Sequence, residues 1–436
     1  IMMHQTIEAS VEWTWEMTLP LVLIVLLMGL GIPMWVSMGV GVCLLLLLTG
    51  TLPLSLIGET LFEGMDAFAL LAVPLFILTG DALVRTGLSG KLLKIAEATA
   101  GSFRSGFGSA TILGCGFFSC ISGSDAAGCA SIGRMTIDRL VESGYPRSYA
   151  AALVAAGSCT GILIPPSIAY IVIGLILGVS TATLFVAAII PGTMILLSIM
   201  ATNVLLNRLH GYENSGIAFS FSNWIAAIWD GKFALLIPII ILGGIYSGIF
   251  TPTEAASVAV VTTLIIGLCL KTISLPDLPE MLISSAKVNG VILPTVALSL
   301  PLAEALGSLN IPQWIIESVL GLTDNYSIIV LLMLAFFIIA GCVMEAVPNI
   351  VLMGPVLFPL AQEIGMNDMH FCIVMVTALG IGFITPPIGL NLFVISGVTG
   401  EPIMKVARHA APYVLSMFFI AIILAFVPEL SLAFIN

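Results

Sequence analysis

Long apolar stretches recur from one end of the chain to the other, parted by short segments rich in Gly, Pro and charged side chains. A helix needs about 20 apolar residues to cross a bilayer. By that rule the pattern predicts spans over 17–33, 34–52, 67–84, 183–207, 233–250, 254–270, 288–307 and 411–432. Two further stretches, 148–178 and 371–400, are long enough but broken in the middle. Residues 106–135 and 327–362 read as re-entrant hairpins. Their tips fall near Ser122-Gly123-Ser124-Asp125 and near Glu345-Ala346-Val347-Pro348-Asn349. In 208–232 and just beyond, Trp224, Trp229 and Phe233 alternate with Asn223, Asp230 and Lys232. In 271–287, Leu275, Leu278, Met281 and Leu282 share a polar segment. Both read as amphipathic helices lying at the interface, with an ordinary loop as the plainer alternative.

The two breaks carry one motif. Gly161-Ile162-Leu163-Ile164-Pro165-Pro166-Ser167 and Gly382-Phe383-Ile384-Thr385-Pro386-Pro387-Ile388 lie 221 residues apart. A Pro-Pro pair removes two backbone donors and pushes the preceding residue out of the helical region. Broken backbone at membrane depth is tolerated only where it is buried in protein or lines a cavity. Matched breaks in two halves point to the binding site of a secondary transporter. At the same offset Gly133 pairs with Gly354, Glu142 with Glu363, Gly144 with Gly365, and the register holds over about 45 residues. Most of these identities are Gly or Pro, which fix backbone shape.

Composition and charge sharpen this picture. The chain is 59% hydrophobic and 8% charged, against about 25% charged in soluble domains. The expected fold is therefore an all-α polytopic membrane protein with inverted repeats, two re-entrant hairpins and two broken helices. Lys and Arg concentrate in cytoplasmic loops. Arg85, Lys91, Lys94 and Arg104 precede the first hairpin, and Arg134, Arg139 and Arg147 follow its turn. The matching second-half regions hold Glu304, Glu317, Asp324, Glu363 and Asp368 and no Lys or Arg. The same unit is thus basic at its open end in one copy and acidic in the other, which means inverted topology. A trace with both termini outside, starting from Glu8, Glu12 and Glu16, puts all 13 Lys and Arg inside. It divides the chain into a scaffold repeat at 17–105 and a transport-domain repeat at 106–207. A second scaffold repeat with amphipathic arms at 208–307 and a second transport-domain repeat at 308–436 follow.

Other function classes recede. None of the eight cysteines forms a Cys-x-x-Cys pair, and most lie in apolar runs as small buried hydrophobes. No metalloprotease helix, phosphate-binding loop or dinucleotide fingerprint is present. No enzyme activity is expected, nor, at a net charge of −11, a nucleic-acid partner. An intramembrane hydrolase would need Asp125 and Glu345 to meet around a water, yet they sit on separate hairpins. A fixed channel does not require paired hairpins of opposite direction.

The tips and breaks supply the chemistry. Helix N-termini aim amide donors and partial positive charge at an anion. Hydroxyls and unwound carbonyls are hard oxygen donors that suit sodium. The sodium candidates are Ser122, Gly123, Ser124, Thr160, Gly161, Gly382 and Thr385. The substrate candidates are Ser124, Asp125, Ser167, Glu345, Asn349 and Asn391. Each Ser and Thr has an alternative role as helix-packing glue. The two carboxylates carry more weight, because an intramembrane acid is costly unless it functions. No Lys or Arg falls at the expected midplane depth. An anionic substrate would be held by dipoles, amides and sodium, or by an arginine farther away in the trace.

The motif Gly161–Ser167, followed by Gly174, Gly178-Val179-Ser180 and Pro191-Gly192, resembles the large membrane subunit of tripartite ATP-independent periplasmic (TRAP) transporters. So do Ser122-Gly123-Ser124, Gly248-Ile249-Phe250-Thr251-Pro252-Thr253-Glu254-Ala255 and Gly380-Ile381-Gly382-Phe383-Ile384-Thr385-Pro386-Pro387-Ile388-Gly389. The likeness runs over about 17–432, and no family role attaches to Asp125 or the cysteines near it. The resemblance implies a sodium-coupled elevator importer in a bacterial inner membrane. It implies an organic-acid substrate delivered by a periplasmic substrate-binding protein. A small four-helix membrane subunit would brace the scaffold, and the chain resembles the form not fused to it. The alternative is a self-sufficient sodium/carboxylate symporter of the same wider architecture.

Overall fold

A computed structural model describes residues 14–101, 105–213 and 220–435, and among these all regular structure is helical. Glu8, Glu12, Arg104 and the stretch 214–219 lie outside the described residues. The first half contains α1 (Trp15–Gly29), α2 (Met34–Thr49), α3 (Ser55–Met65), α4 (Ala72–Arg85) and α5 (Leu88–Ala100). The first hairpin follows as α6 (Gly106–Ser122) and α7 (Asp125–Glu142). The first broken span is α8 (Arg147–Ser158), α9 (Thr160–Leu163) and α10 (Ile168–Leu177), and α11 (Thr181–Ala187) and α12 (Ile189–His210) close the half.

The second half begins with α13 (Phe221–Asp230), α14 (Lys232–Tyr246), α15 (Pro252–Cys269), α16 (Leu278–Ser308) and α17 (Ile311–Leu320). Its hairpin is α18 (Tyr326–Val343) and α19 (Ala346–Glu363). Its broken span is α20 (Asp368–Gly382) and α21 (Leu390–Thr399), before α22 (Ile403–Phe426) and α23 (Glu429–Leu432). The repeat is structural as well as sequential. Helices α7 and α19 begin and end at the offset of 221, and so do the starts of α8 and α20. Gly144 and Gly365 both turn the chain at positive φ, 106° and 76°. Seven helical stretches among the described residues are long and apolar enough to cross a membrane unaided.

Three expectations need correction. The second tip is the pair Met344–Glu345, earlier than Glu345–Asn349. Pro348 sits in the first turn of α19, where no intrahelical donor is lost. The first hairpin's second arm runs to Glu142 rather than 135. The segment 271–287 is not a separate arm: one helix of 31 residues carries through from Leu278 to Ser308. Nothing between 283 and 293 breaks the backbone, and Met281, Ser285 and Asn289 share its buried face at helical spacing. The basic stretch after Arg85, for which the apolar pattern predicts no element, is helix α5, which buries Leu88, Leu92, Leu93, Ile95 and Ala96 and turns Lys91 and Lys94 outward. The expected amphipathic helix before 232 is α13, bent by 73° from α14.

Ion pairs draw the basic residues to one end. Arg85 meets Glu280 at 3.2 Å, Lys91 meets Asp230 at 2.6 Å, and Arg139 meets Glu97 at 2.6 Å. These tie α4 to α16, α5 to α13, and α7 to α5. Arg147 donates to the Thr399 carbonyl at 3.2 Å, beside the start of α22 with Lys405 and Arg408. At the same end the buried Glu213 accepts from the Phe107 amide and the Tyr145 hydroxyl, both at 2.9 Å. It thereby satisfies an orphan donor at the start of the first hairpin. At the other end Glu59 and Glu63 sit near Glu304.

Candidate binding site

Each hairpin tip is bonded to the break of its own half. In the first, α6 ends at Ser122 and Gly123 turns at φ 61°. A side chain there would meet the Pro166 carbonyl at 2.9 Å, so the position requires glycine for both space and conformation. Ser124 caps α7 by accepting from the Ala127 amide at 3.4 Å. The Ile168 amide, just past Pro165-Pro166, donates to the Gly123 carbonyl at 3.3 Å. Gly161 presses on the start of α7: a Cβ there would lie 2.6 Å from the Asp125 nitrogen. Ser119 and Thr160 share a hydroxyl contact at 3.3 Å, which joins α6 to α9.

The second half repeats the plan with other side chains. The Ile388 and Gly389 amides, just past Pro386-Pro387, donate to the Cys342 carbonyl at 3.3 and 3.0 Å. Gly382 presses on Gly341, where a Cβ would lie 2.6 Å from the Gly341 Cα. Both Pro-Pro bonds are cis. Thr385 donates to the Ile381 carbonyl at 2.8 Å. Asn349 holds the tip. Its amide nitrogen reaches the carbonyls of Ala340, Met344 and Glu345 at 3.3, 3.0 and 3.0 Å. Ala340 and Glu345 also accept backbone amides, from Met344 at 3.0 Å and Asn349 at 3.3 Å, so for Met344, past the end of α18, the side chain supplies the donor the helix does not.

The halves are then crossed. Helix α21 packs on α7 and α8, and α10 packs on α19. Asn391, from the second break, donates to the Ala155 carbonyl at 3.3 Å and faces Cys159 sulfur at 3.4 Å. It therefore reaches the first break beside Thr160 and Gly161, which pack on Ser119 and Asp125 of the first hairpin. Glu345 is exposed at the second tip, where it precedes α19.

Among the described residues, four of the six candidate substrate residues keep a buried polar atom with no partner: Asp125 Oδ2, Ser167 Oγ, Asn349 Oδ1 and Asn391 Oδ1. Leaving such an atom unsatisfied costs about 1–3 kcal/mol, so each is a place where a ligand or ion could be solvated. Among the described residues no three His, Cys, Asp or Glu side chains gather as metal ligands. Any cation here would be held by hydroxyls, amide oxygens and carbonyls, a donor set that fits sodium. Ser122 is buried and points toward the Ser124 carbonyl at 3.5 Å, and its neighbours Ser119 and Thr160 retain lone pairs. The sequence reading missed one feature, Arg134. It lines a cavity with Ser122, Ser124, Ala127 and Ser131. Their spacing along α7 puts Ser124, Ala127, Ser131 and Arg134 on one helical face, a signal present in the sequence.

Comparison with known proteins gives a consistent result. The family model described as "Tripartite ATP-independent periplasmic transporter, DctM component" matches residues 21–430. The chain is 35% identical over 386 residues to the isethionate TRAP transporter permease protein DctMQ of Oleidesulfovibrio alaskensis, covering 88% of this chain and 61% of that protein. It therefore spans less than two thirds of that relative's length. It is 36% identical over 377 residues to the C4-dicarboxylate TRAP transporter large permease protein DctM of Pseudomonas aeruginosa, covering 86% of this chain and 88% of that protein. In structure it is similar to the Alcanivorax borkumensis YdaH transporter, with a TM-score of 0.63 over 86% of this chain and 89% of that one. At 14% identity that likeness shows a shared fold.

Proposed function

The chain belongs to the DctM-component family of TRAP transporters, a family of multi-pass large permease subunits, and from that premise we propose that it is the translocating subunit of a sodium-coupled importer of a small organic acid. The observation that supports this reading is that residues of both tips and both broken spans, Asp125, Ser167, Asn349 and Asn391, carry buried oxygens without a partner among the described residues. Relatives named for isethionate and C4-dicarboxylate transport favour a compact substrate with a sulfonate or carboxylate head. A periplasmic substrate-binding protein delivers it, and a small four-helix membrane subunit braces the chain in a bacterial inner membrane. The basic end of the molecule faces the cytoplasm, and both termini face the periplasm.

In this reading sodium is a co-substrate. Ser122, Gly123, Ser124, Thr160 and Gly161 hold one ion, and Gly382 and Thr385 another. Asp125, Ser167, Glu345, Asn349 and Asn391, with Ser124, face the substrate. The N-termini of α7 and α19 direct amide dipoles toward its anionic group. The hairpins and broken spans move as one body against helices α1–α4 and α14–α16, so that access alternates without rearrangement inside the site.

The test is uptake in vesicles. Transport should require sodium, the small subunit and a loaded binding protein together. Robust uptake of free succinate or isethionate by this chain alone would move it to the self-sufficient symporter class. For the motion, cysteines replace Ala127 and Val288, two exposed residues that line one cavity from α7 and α16. Bridging them with a reducible bifunctional reagent should stop uptake until the bridge is reduced. Complete bridging with undiminished uptake excludes sliding of one body against the other.

A further inference from the structure

A cavity of about 240 Å³ lies between the first hairpin and helices α4 and α16. Its polar lining is Ser122, Ser124, Ser131 and Arg134 from the hairpin, Asp81 from α4, and Ser284 and Ser285 from α16. Three features set it apart from an ordinary solvated crevice. Arg134 is exposed and makes no ion pair among the described residues, whereas Arg85, Arg139 and Arg147 all do. The cavity's carboxylate, Asp81, is engaged by Arg85 Nε at 3.1 Å, and the same guanidinium reaches Glu280 at 3.2 Å. Ser285 is 5% exposed, and its buried hydroxyl oxygen has no partner. The space therefore offers an uncommitted guanidinium, an acid that shares the Arg85 guanidinium with Glu280, and hydroxyls from Ser131, Ser284 and Ser285.

Resting on the transport reading above, we infer that Arg134 and these serines form a binding site for a small organic oxyanion, a carboxylate or sulfonate, between the hairpin tip and the basic end of the molecule. A guanidinium presents a planar fork that matches both headgroups with two parallel hydrogen bonds. Hydroxyls from Ser124 and Ser131 lie on the same face of α7, and Ser285 faces them from α16. The anion would contact Arg134 after the tip and before bulk solvent, so this residue selects for charge along the path. A cavity with low-dielectric walls concentrates the field of Arg134.

The experiment is thiol labelling of the full chain in lipid nanodiscs. Ser131→Cys is reacted with an anionic ethanesulfonate methanethiosulfonate reagent and with its cationic trimethylammonium counterpart, the parent chain serving as blank. Ser131 lies one helical turn from Arg134. Removing one charge at that distance in a water-filled space changes each rate by a factor of roughly two to three in opposite directions, so the ratio shifts about fivefold. The anionic reagent should be preferred in the Arg134 background. That preference should fall about fivefold in Arg134→Gln and persist in Arg134→Lys. A ratio unchanged across the three, or a preference for the cationic reagent with Arg134 in place, overturns the inference. Labelling needs neither partner nor transported substrate, so failure of organic-acid uptake and failure of Arg134 read separately.

Discussion

Gly161 lies flat against the first turn of the second hairpin arm, so close that a Cβ would come within 2.6 Å of the Asp125 amide nitrogen. Tip and break are thus one packed object, joined again by the bond from Ile168 to Gly123. The contact is backbone on backbone and cannot be relieved by a rotamer change. Gly161→Ala should cost about 1–3 kcal/mol, as overpacking does. It should lower both the melting temperature in detergent and sodium-driven uptake. Gly243→Ala is the control: it stands in a helix with nothing within 4 Å, and it should be neutral or slightly stabilising. Equal melting of both variants would dissolve the claim that the tip rests on the break.

Asn349 should be the structural pin of the second tip. Asn349→Ala takes the side-chain donor from the Met344 carbonyl and a second donor from those of Ala340 and Glu345, a loss of about 1–3 kcal/mol. Asn349→Asp should be worse, because an ionised carboxylate sets acceptors against acceptors. Proteolysis or hydrogen exchange across 340–350 reads the effect. Unchanged protection in both variants would show that the tip holds without the amide.

Sodium coupling is tested at Ser124 and Thr385. Losing one oxygen ligand worth about 1.4 kcal/mol raises the half-saturating sodium concentration roughly tenfold. Ser124→Ala and Thr385→Ala should each do this while leaving expression and assembly intact. Sodium curves that superimpose on wild type would remove these hydroxyls from the ion sites.

Orientation is tested by labelling from each side. Cysteines beside Lys91 and Arg408 should react only with reagent on the cytoplasmic face, and one beside Asp324 only from outside. The exposed native Cys43 and Cys269 are first replaced. If positions near 91 and 324 report the same face, the inverted reading of the two halves is wrong.

Several features were legible along the chain itself. Bilayer-length apolar runs, Pro-Pro breaks and glycines at a constant offset are local properties, and each restricts the backbone wherever it occurs. They located both hairpins, both broken spans and the repeat that relates them. The limits of the elements were less legible. Met344–Glu345 rather than Glu345–Asn349 forms the second tip because Asn349 folds back onto the end of α18, a contact across the turn. The residues after Arg85 carry no predicted element in the sequence, and α5 there packs its leucines against α6. Only tertiary packing could decide which half each break serves. Asn391 stands four residues beyond the second Pro-Pro pair, yet it reaches Ala155 and Cys159 in the first half. Arg134 stands ten residues past the first tip, yet it shares a cavity with Ser122 and with Ser285. Such meetings depend on how two interlocked halves cross, and no spacing within either half encodes that crossing.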